Sequence, residues 1–396
     1  MKIKKAISLV MAGIDSVLSG FSMTASAQAA KQLYVATDGS DSNSGSISAP
    51  FATLEAARDA ARAIDGEVII NIRGGVYPVS STLELTKADS NTTYRAYKDE
   101  KVILNGANVL KSSDFQPISE EAKALIVDQT GADKIKMIDL IAHGITEYGS
   151  LKCIGMGGTY RDTGYPVALY YDDQMMTIAR YPNDEYVETG LVLEVGEQGT
   201  EKGFTIKTDS ETASRMEKWI ASKDLWVFGY FMHDWAEAHL PITIDASKGI
   251  ITSQWASNYG VVEERRYYVY NLLEELDAPG EWYLDRDTGI LYLYPTTDMK
   301  EDTAIEFVTF DKPFISVSGA ENITIKNLNL QKGIGTGIEA VDVTGFVVDG
   351  CELSSVSDTG IIITQSDDNK ATTFNSGAKN CYIHDMGAGG IIIYAG

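Results

Sequence analysis

Two aspartates and a histidine near the end of the chain are the residues best suited to acid–base chemistry. Asp358 and Asp385 lie in corresponding loop regions of two successive copies of a repeat, offset by three residues, and His384 precedes Asp385. Hydrolysis of a glycosidic bond uses two carboxyl groups, about 5 Å apart for retention and about 6.5 to 9.5 Å apart for inversion. Stacked strands with this offset predict a separation of roughly 5 to 11 Å. We therefore take Asp358 and Asp385 as the candidate catalytic pair, with His384 as a neighbour that tunes a pKa or orients a hydroxyl.

Three further residues are candidates for substrate binding. Asp367 and Asp368 lie in a seven-residue insertion within the repeat, and loops that interrupt a regular scaffold often carry binding sites. This loop could line a groove, bind a cation or be a solvated acidic loop. Trp235 belongs to an aromatic-rich middle segment whose rings could stack on sugar rings or could simply form a core. The aromatic set is Trp226, Tyr230, Phe231, Trp235, Tyr267, Tyr268 and Tyr270.

A second catalytic set is weaker. His233, Asp234 and His239 lie close together in the sequence, but isolated dipeptides carry little information about a site. The chemistry is better sought on the repeats.

The candidate acids are positioned by a repeat that occurs three times. Its copies begin at Ile323, Phe346 and Ser376, and in each copy a glycine follows the last apolar residue by seven positions. Apolar residues alternate within each copy, which predicts strands rather than helices. They form the columns Ile325/Val348/Ala378, Leu328/Cys351/Cys381, Leu330/Leu353/Ile383 and Ile338/Ile361/Ile391. A repeat of this length predicts a solenoid in which each copy stacks on the previous one.

Two-residue corners separate the first two strands of each copy, at 326–327, 349–350 and 379–380. Asn or Gly in the second corner position predicts a left-handed backbone. Strand, corner, strand, loop and strand in about two dozen residues describe one rung of a parallel β-helix, with rungs about 4.8 Å apart. Asp349 shares its column with Lys326 and Lys379, which predicts an outer charge ladder. Cys351 and Cys381 are expected to stack as small core residues, with a disulfide as the less favoured alternative.

This rung pattern resembles the right-handed parallel β-helix, or pectate-lyase-like, proteins of secreted carbohydrate-active bacterial enzymes. The N-terminal segment strengthens the resemblance. Tyr-Val-Ala-Thr-Asp-Gly-Ser-Asp from position 34, Pro-Phe-Ala-Thr-Leu from 50 and Arg-Gly-Gly-Val-Tyr from 73 look like the opening of β-helix glycoside hydrolases of the α-fucosidase and xylanase type. The resemblance implies an all-β fold with an N-terminal capping helix and an inserted β-rich subdomain. It also implies a polysaccharide or oligosaccharide substrate.

The chain divides into four segments in this interpretation. Residues 1–27 have the basic start, apolar run and Ala-Ser-Ala site of a signal peptide cut near Ala27, which predicts a secreted or periplasmic protein. Residues 28–110 would form the cap and first rungs, with a helix over 51–64 that begins at Thr53. Residues 111–312 would be the insertion, and residues 313–396 the later rungs. The last strand, 391–396, is apolar and uncapped, so we expect a fragment of a longer protein whose family-type catalytic acids lie beyond Gly396.

Charge and composition exclude several partners. The formal net charge is −23, and no basic stripe is present, which argues against nucleic acid. No stretch after the signal has the roughly 18 uninterrupted apolar residues of a membrane helix. We expect a monomer without a required cofactor. Calcium remains an option at the acidic loop 38–45, although Asx turns explain such loops more often.

Two other functions are alternatives to glycoside hydrolysis. A polysaccharide lyase on this fold would rely on Arg or Lys to abstract a proton beside a uronate. From Asn322 onward there is no arginine, and the four lysines are Lys326, Lys332, Lys370 and Lys379, two of which belong to the corners. A non-catalytic surface or glycan-binding protein is the third reading, and it predicts no convergent acids.

Overall fold

A computed structural model describes residues 29–98, 100–158, 165–198, 200–366 and 372–394. The predicted signal segment and the candidate binding residues Asp367 and Asp368 lie outside the described residues. Within these ranges, three parallel sheets form a solenoid, and a block of mainly antiparallel strands is inserted into it.

The N-terminal part forms the first rungs and a short helix. Its elements are β1 (Lys31–Val35), α1 (Leu54–Ala61), β2 (Val68–Ile72), β3 (Gly75–Pro78), β4 (Leu83–Leu85), β5 (Thr92–Ala96) and β6 (Val102–Asn105). The predicted helix is confirmed, although α1 is shorter than 51–64. Thr53 caps it, because its side chain accepts a hydrogen bond from the Ala56 amide. Leu54, Ala57 and Ala61 bury one face of α1 in the core of the first rungs.

The insertion leaves the helix after β6. Its elements are β7 (Ala107–Leu110), β8 (Gln116–Pro117), α2 (Glu120–Lys123), β9 (Lys136–Asp139), β10 (Ala168–Tyr171), β11 (Gln174–Met175), β12 (Thr177–Ile178), β13 (Arg180–Tyr181), β14 (Val187–Glu188), β15 (Val192–Glu194), β16 (Thr205–Lys207), α3 (Ser210–Met216), β17 (Trp226–Gly229), β18 (Ala238–Asp245), β19 (Ile250–Ser253), β20 (Arg266–Tyr270), β21 (Glu281–Asp285), β22 (Ile290–Leu293) and β23 (Ile305–Val308). They form three sheets, in the orders β11-β10-β23-β7, β12-β21-β22-β9-β8 and β13-β20-β17-β18-β19-β16-β15, with β14 also paired to β20.

The later rungs complete the solenoid. Their strands are β24 (Ile315–Ser318), β25 (Thr324–Lys326), β26 (Asn329–Gly333), β27 (Ile338–Val341), β28 (Val347–Asp349), β29 (Glu352–Val356), β30 (Thr359–Thr364), β31 (Gly377–Lys379), β32 (Tyr382–Met386) and β33 (Gly389–Tyr394). β24 pairs in parallel with β4 on one side and β27 on the other. It therefore completes the rung that β5 and β6 begin, and the insertion interrupts that rung without breaking the stack.

Three parallel sheets follow from this pairing. Sheet 1 has the order β1-β2-β5-β25-β28-β31, sheet 2 has β3-β6-β26-β29-β32 and sheet 3 has β4-β24-β27-β30-β33. The apolar columns predicted from the sequence are confirmed, because Ile325, Val348 and Ala378 pair in sheet 1. The corresponding columns in sheets 2 and 3 also pair, namely Leu330/Leu353/Ile383 and Ile338/Ile361/Ile391.

The predicted corners and core cysteines are confirmed as well. Asn327, Gly350 and Asn380 have φ angles of 54°, 66° and 57°, in the left-handed region. Cys351 and Cys381 are both thiols in the same column, so no disulfide joins them, and Cys351 is buried.

Asp349 lies outside the core, as expected for a charge ladder. Its carboxylate is 3.1 Å from Lys326 Nζ and 3.8 Å from Lys379 Nζ, and it also accepts a hydrogen bond of 2.9 Å from the Asn380 amide. The hydrogen bonds from Asn380 and Lys326 hold the pKa of Asp349 below its ordinary value. Asp349 is therefore a structural acid rather than a catalytic candidate.

The recurring glycine at the start of the third strand has a packing cause. A Cβ on Gly337 would lie 2.4 Å from the carbonyl oxygen of Gly360 on the next rung, and one on Gly360 would lie 2.8 Å from that of Gly390. The rungs approach too closely here for any side chain. The constant seven-residue step thus marks a position at which neighbouring rungs leave no room for a side chain.

Candidate active site

Sheet 2 presents polar side chains outward next to the insertion. Leu353 and Ile383 point into the core, so their neighbours Glu352, Ser354 and His384 lie on the outer face. Parallel pairing places Ser354 beside His384 on adjacent rungs. We refer to this outer surface of β26, β29 and β32 as the groove face.

His384 bridges two carboxylates on the groove face. Its Nδ1 lies 2.7 Å from Oδ2 of Asp385, and its Nε2 lies 3.5 Å from Oε1 of Glu352 on the previous rung. Asn329 holds the other oxygen of Glu352 by donating a hydrogen bond of 3.1 Å. The imidazole therefore separates two acids that come from neighbouring rungs. Glycosidases use two carboxyl groups on either side of the bond that is cleaved, and Glu352 and Asp385 are candidates for these two groups.

The surroundings of His384 favour its charged form. The hydrogen bond with Asp385 raises the pKa of His384 above its ordinary value. Burial opposes this rise, and the contact with Glu352 adds to it. The ring of Tyr382 stacks on the imidazole at 4.3 Å with an interplanar angle of 28°. Nε2 is buried without a direct hydrogen bond. His384 can thus hold a proton between the two carboxylates.

Asp358 makes hydrogen bonds of its own. Its carboxylate accepts hydrogen bonds from the hydroxyls of Thr336, at 2.9 Å, and Thr359, at 3.3 Å. Among the described residues, no hydrogen bond or ion pair joins Asp358 to Asp385 or His384. The predicted pair of Asp358 and Asp385 stays a prediction, whereas the contact between Asp385 and His384 is present.

Glu352 is the acid that the sequence alone did not single out. A glutamate on the outer side of a strand is an ordinary surface residue, and its column neighbour on the next rung is Tyr382 rather than another acid. The signal that could have found it is the diagonal from Glu352 to His384, two columns along on the next rung. Only the rung register makes that diagonal visible.

One column at the end of sheet 2 has an unusual backbone. Lys332, Ser355 and Asp385 have φ angles of 59°, 55° and 54°, although none is glycine. Left-handed residues of this kind cost about 1 to 3 kcal/mol each and occur preferentially at functional sites. Stacked on three rungs, they form a left-handed column just before the last paired residues of sheet 2, which are Gly333, Val356 and Met386.

The lowest member of this column anchors the insertion. Lys332 is 3% exposed, and its ammonium contacts Glu306 on β23 and, at 2.5 Å, Asp173 in the turn between β10 and β11. Glu306 is 6% exposed and also accepts a hydrogen bond of 2.8 Å from Asn105, at the end of β6. We call Asn105, Tyr170, Asp173, Glu306 and Lys332 the junction cluster.

Tyr170 extends the junction cluster toward the groove face. Lys332 Nζ lies 5.4 Å from the centre of its ring. Burial raises the pKa of the Tyr170 hydroxyl, a hydrogen bond with Ser355 opposes that rise, and the nearby Asp385 adds to it. The insertion therefore places one of its own hydroxyl groups next to the column that carries Asp385.

Trp235 lies elsewhere on the insertion, in the loop between β17 and β18. It is 56% exposed and stacks on His233. Most of the other aromatics considered with it belong to the core, as the alternative interpretation held. The buried members are Trp226, Phe231, Tyr267 and Tyr270. His239 is also structural, because Tyr270 pairs with its Nδ1 at 2.9 Å and burial lowers its pKa to about 4.

In the acidic loop at 38–45, the carboxylate of Asp41 accepts hydrogen bonds from the residues just before α1. Asp41 accepts hydrogen bonds of 2.9 Å from the amides of Ala52 and Thr53 and one of 3.0 Å from the Thr53 hydroxyl. In the described part of the chain, no group of three or more His, Cys, Asp or Glu residues is arranged to hold a metal ion. The described helices include none that is long and apolar enough to cross a membrane.

A cavity lies on the insertion, away from the groove face. It has a volume of about 760 Å³ and is formed between residues 109–115 and 299–304 of the insertion, with Lys136 at its side. The candidate residues on β29 and β32 do not line it. The groove face is an open surface, as expected for a long polymer rather than for a small enclosed ligand.

Comparison with known proteins adds to this geometry. Residues 314–396 match a family model described as the right handed beta helix region. The fold is a right-handed parallel β-helix. A solved structure titled "Glycoside hydrolase" superimposes with a TM-score of 0.63 at 17% identity, over 90% of this chain and 74% of that one. At this identity the likeness extends to the fold.

One curated relative is similar in sequence over a short region. It is "Pectate lyase PEL9" of Emericella nidulans, with 40% identity over 80 residues. These residues make up 19% of this chain and 19% of the relative, so the match spans less than a fifth of the relative's length.

Proposed function

We propose that this chain is carbohydrate-active and that the groove face hydrolyses glycosidic bonds of a polysaccharide. The observation that carries the proposal is the position of His384 between Asp385 and Glu352 on an open, outward face. The β-helix fold, the pectate lyase relative and the glycoside hydrolase neighbour support a carbohydrate substrate. In this proposal the protein is exported and acts as a monomer, and its preferred substrates are neutral, fucosylated or xylosylated glycans.

Hydrolysis of a glycosidic bond requires one carboxyl group as general acid and a second as general base or nucleophile. One carboxyl group donates a proton to the leaving oxygen as the bond from the anomeric carbon breaks. The other removes a proton from the attacking water, or attacks that carbon itself to form a covalent intermediate. In the second case water, deprotonated by the first group, then hydrolyses the intermediate and releases the sugar. Glu352 and Asp385 supply the two groups in this proposal. His384 positions both and can return the proton between turnovers.

Lyase action is the second candidate, and it is favoured by the similarity to pectate lyase. A lyase needs a base that is neutral at the working pH, and lysine serves only when its pKa is lowered. Ion pairs with Asp173 and Glu306 instead outweigh burial and raise the pKa of Lys332. Lys326 and Lys379 contact Asp349 at the corners. Lys370 lies outside the described residues.

One product analysis separates the three functions. The protein is incubated with neutral polysaccharides (xylan and xyloglucan) and with polygalacturonate, and both reducing ends and ultraviolet absorbance are followed. Hydrolysis releases reducing ends without absorbance. A 4,5-unsaturated uronate absorbs and would replace the proposal by lyase action. Binding of a polysaccharide without either product would identify a non-catalytic protein.

A further inference from the structure

Three aromatic rings form an exposed corner on the insertion. The rings of His233 and Trp235 are nearly parallel and stacked, with an interplanar angle of 4° and centroids 5.3 Å apart. Tyr259 stands across both, at 67° to His233 and 68° to Trp235, with centroids 5.4 and 5.1 Å away. Trp235 is 56% exposed and Tyr259 is 39% exposed. We call these three residues the ring corner.

The neighbouring aromatic rings are covered, which distinguishes the ring corner from them. Arg266 lies 4.2 Å from the centre of the Tyr230 ring, and Arg180 lies 4.0 Å from that of Tyr268. Those rings pair with cations of the same chain. Trp235 and Tyr259 contact each other and His233 but keep a large apolar surface in water, and hydrophobic burial does not explain their position.

Polar groups suited to hydroxyls surround the ring corner. Asp234, which lies between His233 and Trp235 in the sequence, is 72% exposed at its side chain, and its carboxylate lies 3.7 Å from Arg265 and 4.0 Å from Arg266. These distances are ion-pair contacts but exceed the length of a hydrogen bond. The carboxylate can therefore accept, and the guanidinium groups can donate, hydrogen bonds to another molecule.

The loops that carry the ring corner are fixed by main-chain hydrogen bonds. Val262 donates to the Phe231 carbonyl at 3.0 Å, which ties the loop of Tyr259 to that of Trp235. Gly157 donates to the Glu237 carbonyl at 2.6 Å, and its own carbonyl accepts from Asn258 at 2.8 Å. A platform held in this way is ordered before a ligand arrives, so little conformational entropy is lost on binding.

We propose that the ring corner is a glycan-binding site, separate from the groove face, that takes a neutral polysaccharide. The apolar face of one sugar ring packs on Trp235 against Tyr259, because C–H groups of a pyranose fit an aromatic face. Its hydroxyls bind Asp234 and Arg265 or Arg266. Donors and acceptors are both present, which suits hydroxyls, and the net charge of −23 disfavours a polyanion. The site keeps the polymer attached while the groove face acts on it.

The test measures binding without turnover. Affinity electrophoresis of the full chain is run in gels that contain xylan, xyloglucan, glucomannan or polygalacturonate, with Glu352→Gln present in every protein so that cleavage does not interfere. We expect retardation by at least one neutral polysaccharide and an affinity about tenfold lower in Trp235→Ala. Tyr259→Ala should also weaken binding. Phe374→Ala is the matched control, because Phe374 is 50% exposed and belongs to the β-helix, where it pairs with Thr344, rather than to the insertion.

Several outcomes would overturn the proposal. Equal retardation with and without Trp235, loss of retardation in Phe374→Ala to the same degree, retardation by polygalacturonate alone, or no retardation by any of the polysaccharides would each do so. Circular dichroism of each variant shows that a loss does not come from unfolding. This result is independent of catalysis at the groove face. A protein that releases no product can still bind a polysaccharide through Trp235, and an active protein can lack this binding.

Discussion

Lys332 and Glu306 form a buried ion pair that joins the rung of β25, β26 and β27 to the insertion. Both residues are less than a tenth exposed, at 3% and 6%. Asn105 and Asp173 satisfy further hydrogen-bonding positions of the pair. Because the chain leaves the helix at β6 and returns at β24, the pair sits where the two ends of the insertion meet the stack. It fixes the insertion beside the groove face.

Replacement of Lys332 by an uncharged residue should destabilise this junction. Lys332→Met leaves Glu306 buried without its partner, and breaking a buried pair in this way costs about 3 to 5 kcal/mol. The urea concentration at half-unfolding should fall accordingly. Lys326→Met is the control, because the exposed corner pair with Asp349 is worth about 1 kcal/mol or less. Equal effects of the two substitutions would show that the junction cluster does not anchor the insertion.

The glycine column gives a second stability prediction. Gly337→Ala forces a methyl group against the Gly360 carbonyl, where the separation would be 2.4 Å. Overpacking of this kind costs about 1 to 3 kcal/mol, and we expect a lower thermal midpoint. Gly377→Ala is the matched control, since a Cβ there has no atom within 4 Å. A Gly337→Ala protein as stable as the control would mean that the rungs can separate at little cost.

The core of the fold could be read from the sequence because it repeats. Alternating apolar residues in three copies identify the inward columns. The corners at Asn327, Gly350 and Asn380 have a left-handed backbone, and Asn and Gly are the residue types that favour this conformation. The same logic fails at Lys332 and Ser355. These residues are also left-handed, but neither type favours that conformation, so their column carries no compositional signal.

The site was only partly predictable for a related reason. Asp385 and His384 are sequence neighbours, and their contact follows from local geometry. Glu306 and Asn105 are 201 residues apart, and no periodicity links a strand of the insertion to the end of an early rung. Contacts of this kind depend on where the insertion docks, which the pattern of the rungs does not contain.

The contact with Asp385 should be visible in the titration of His384. The pKa of His384 is raised, so the ion pair stabilises the folded protein fully below the ordinary histidine pKa of about 6.5. That stabilisation is lost as the pH rises through the pKa of the folded state. Asp385→Asn removes the largest favourable contact and should lower the pKa, as measured by NMR of the imidazole protons. Asp358→Asn should leave it unchanged, and an equal shift in both would place Asp358 in the same cluster.

The two acids beside His384 should control turnover if the groove face is catalytic. Glu352→Gln and Asp385→Asn each keep shape and hydrogen bonding while removing a proton-transferring group, whose loss typically lowers the rate about 10²- to 10⁴-fold. We expect such a decrease in kcat/KM for release of reducing ends, in variants whose circular dichroism shows the same folded structure. Glu339→Gln is the matched control, because Glu339 faces outward from the neighbouring β27 in sheet 3. Asp358→Asn decides between the two possible pairs. A loss with Asp358→Asn and none with Glu352→Gln would make Asp358 and Asp385 the reacting acids, whereas full activity in all three variants would move the chemistry off these rungs.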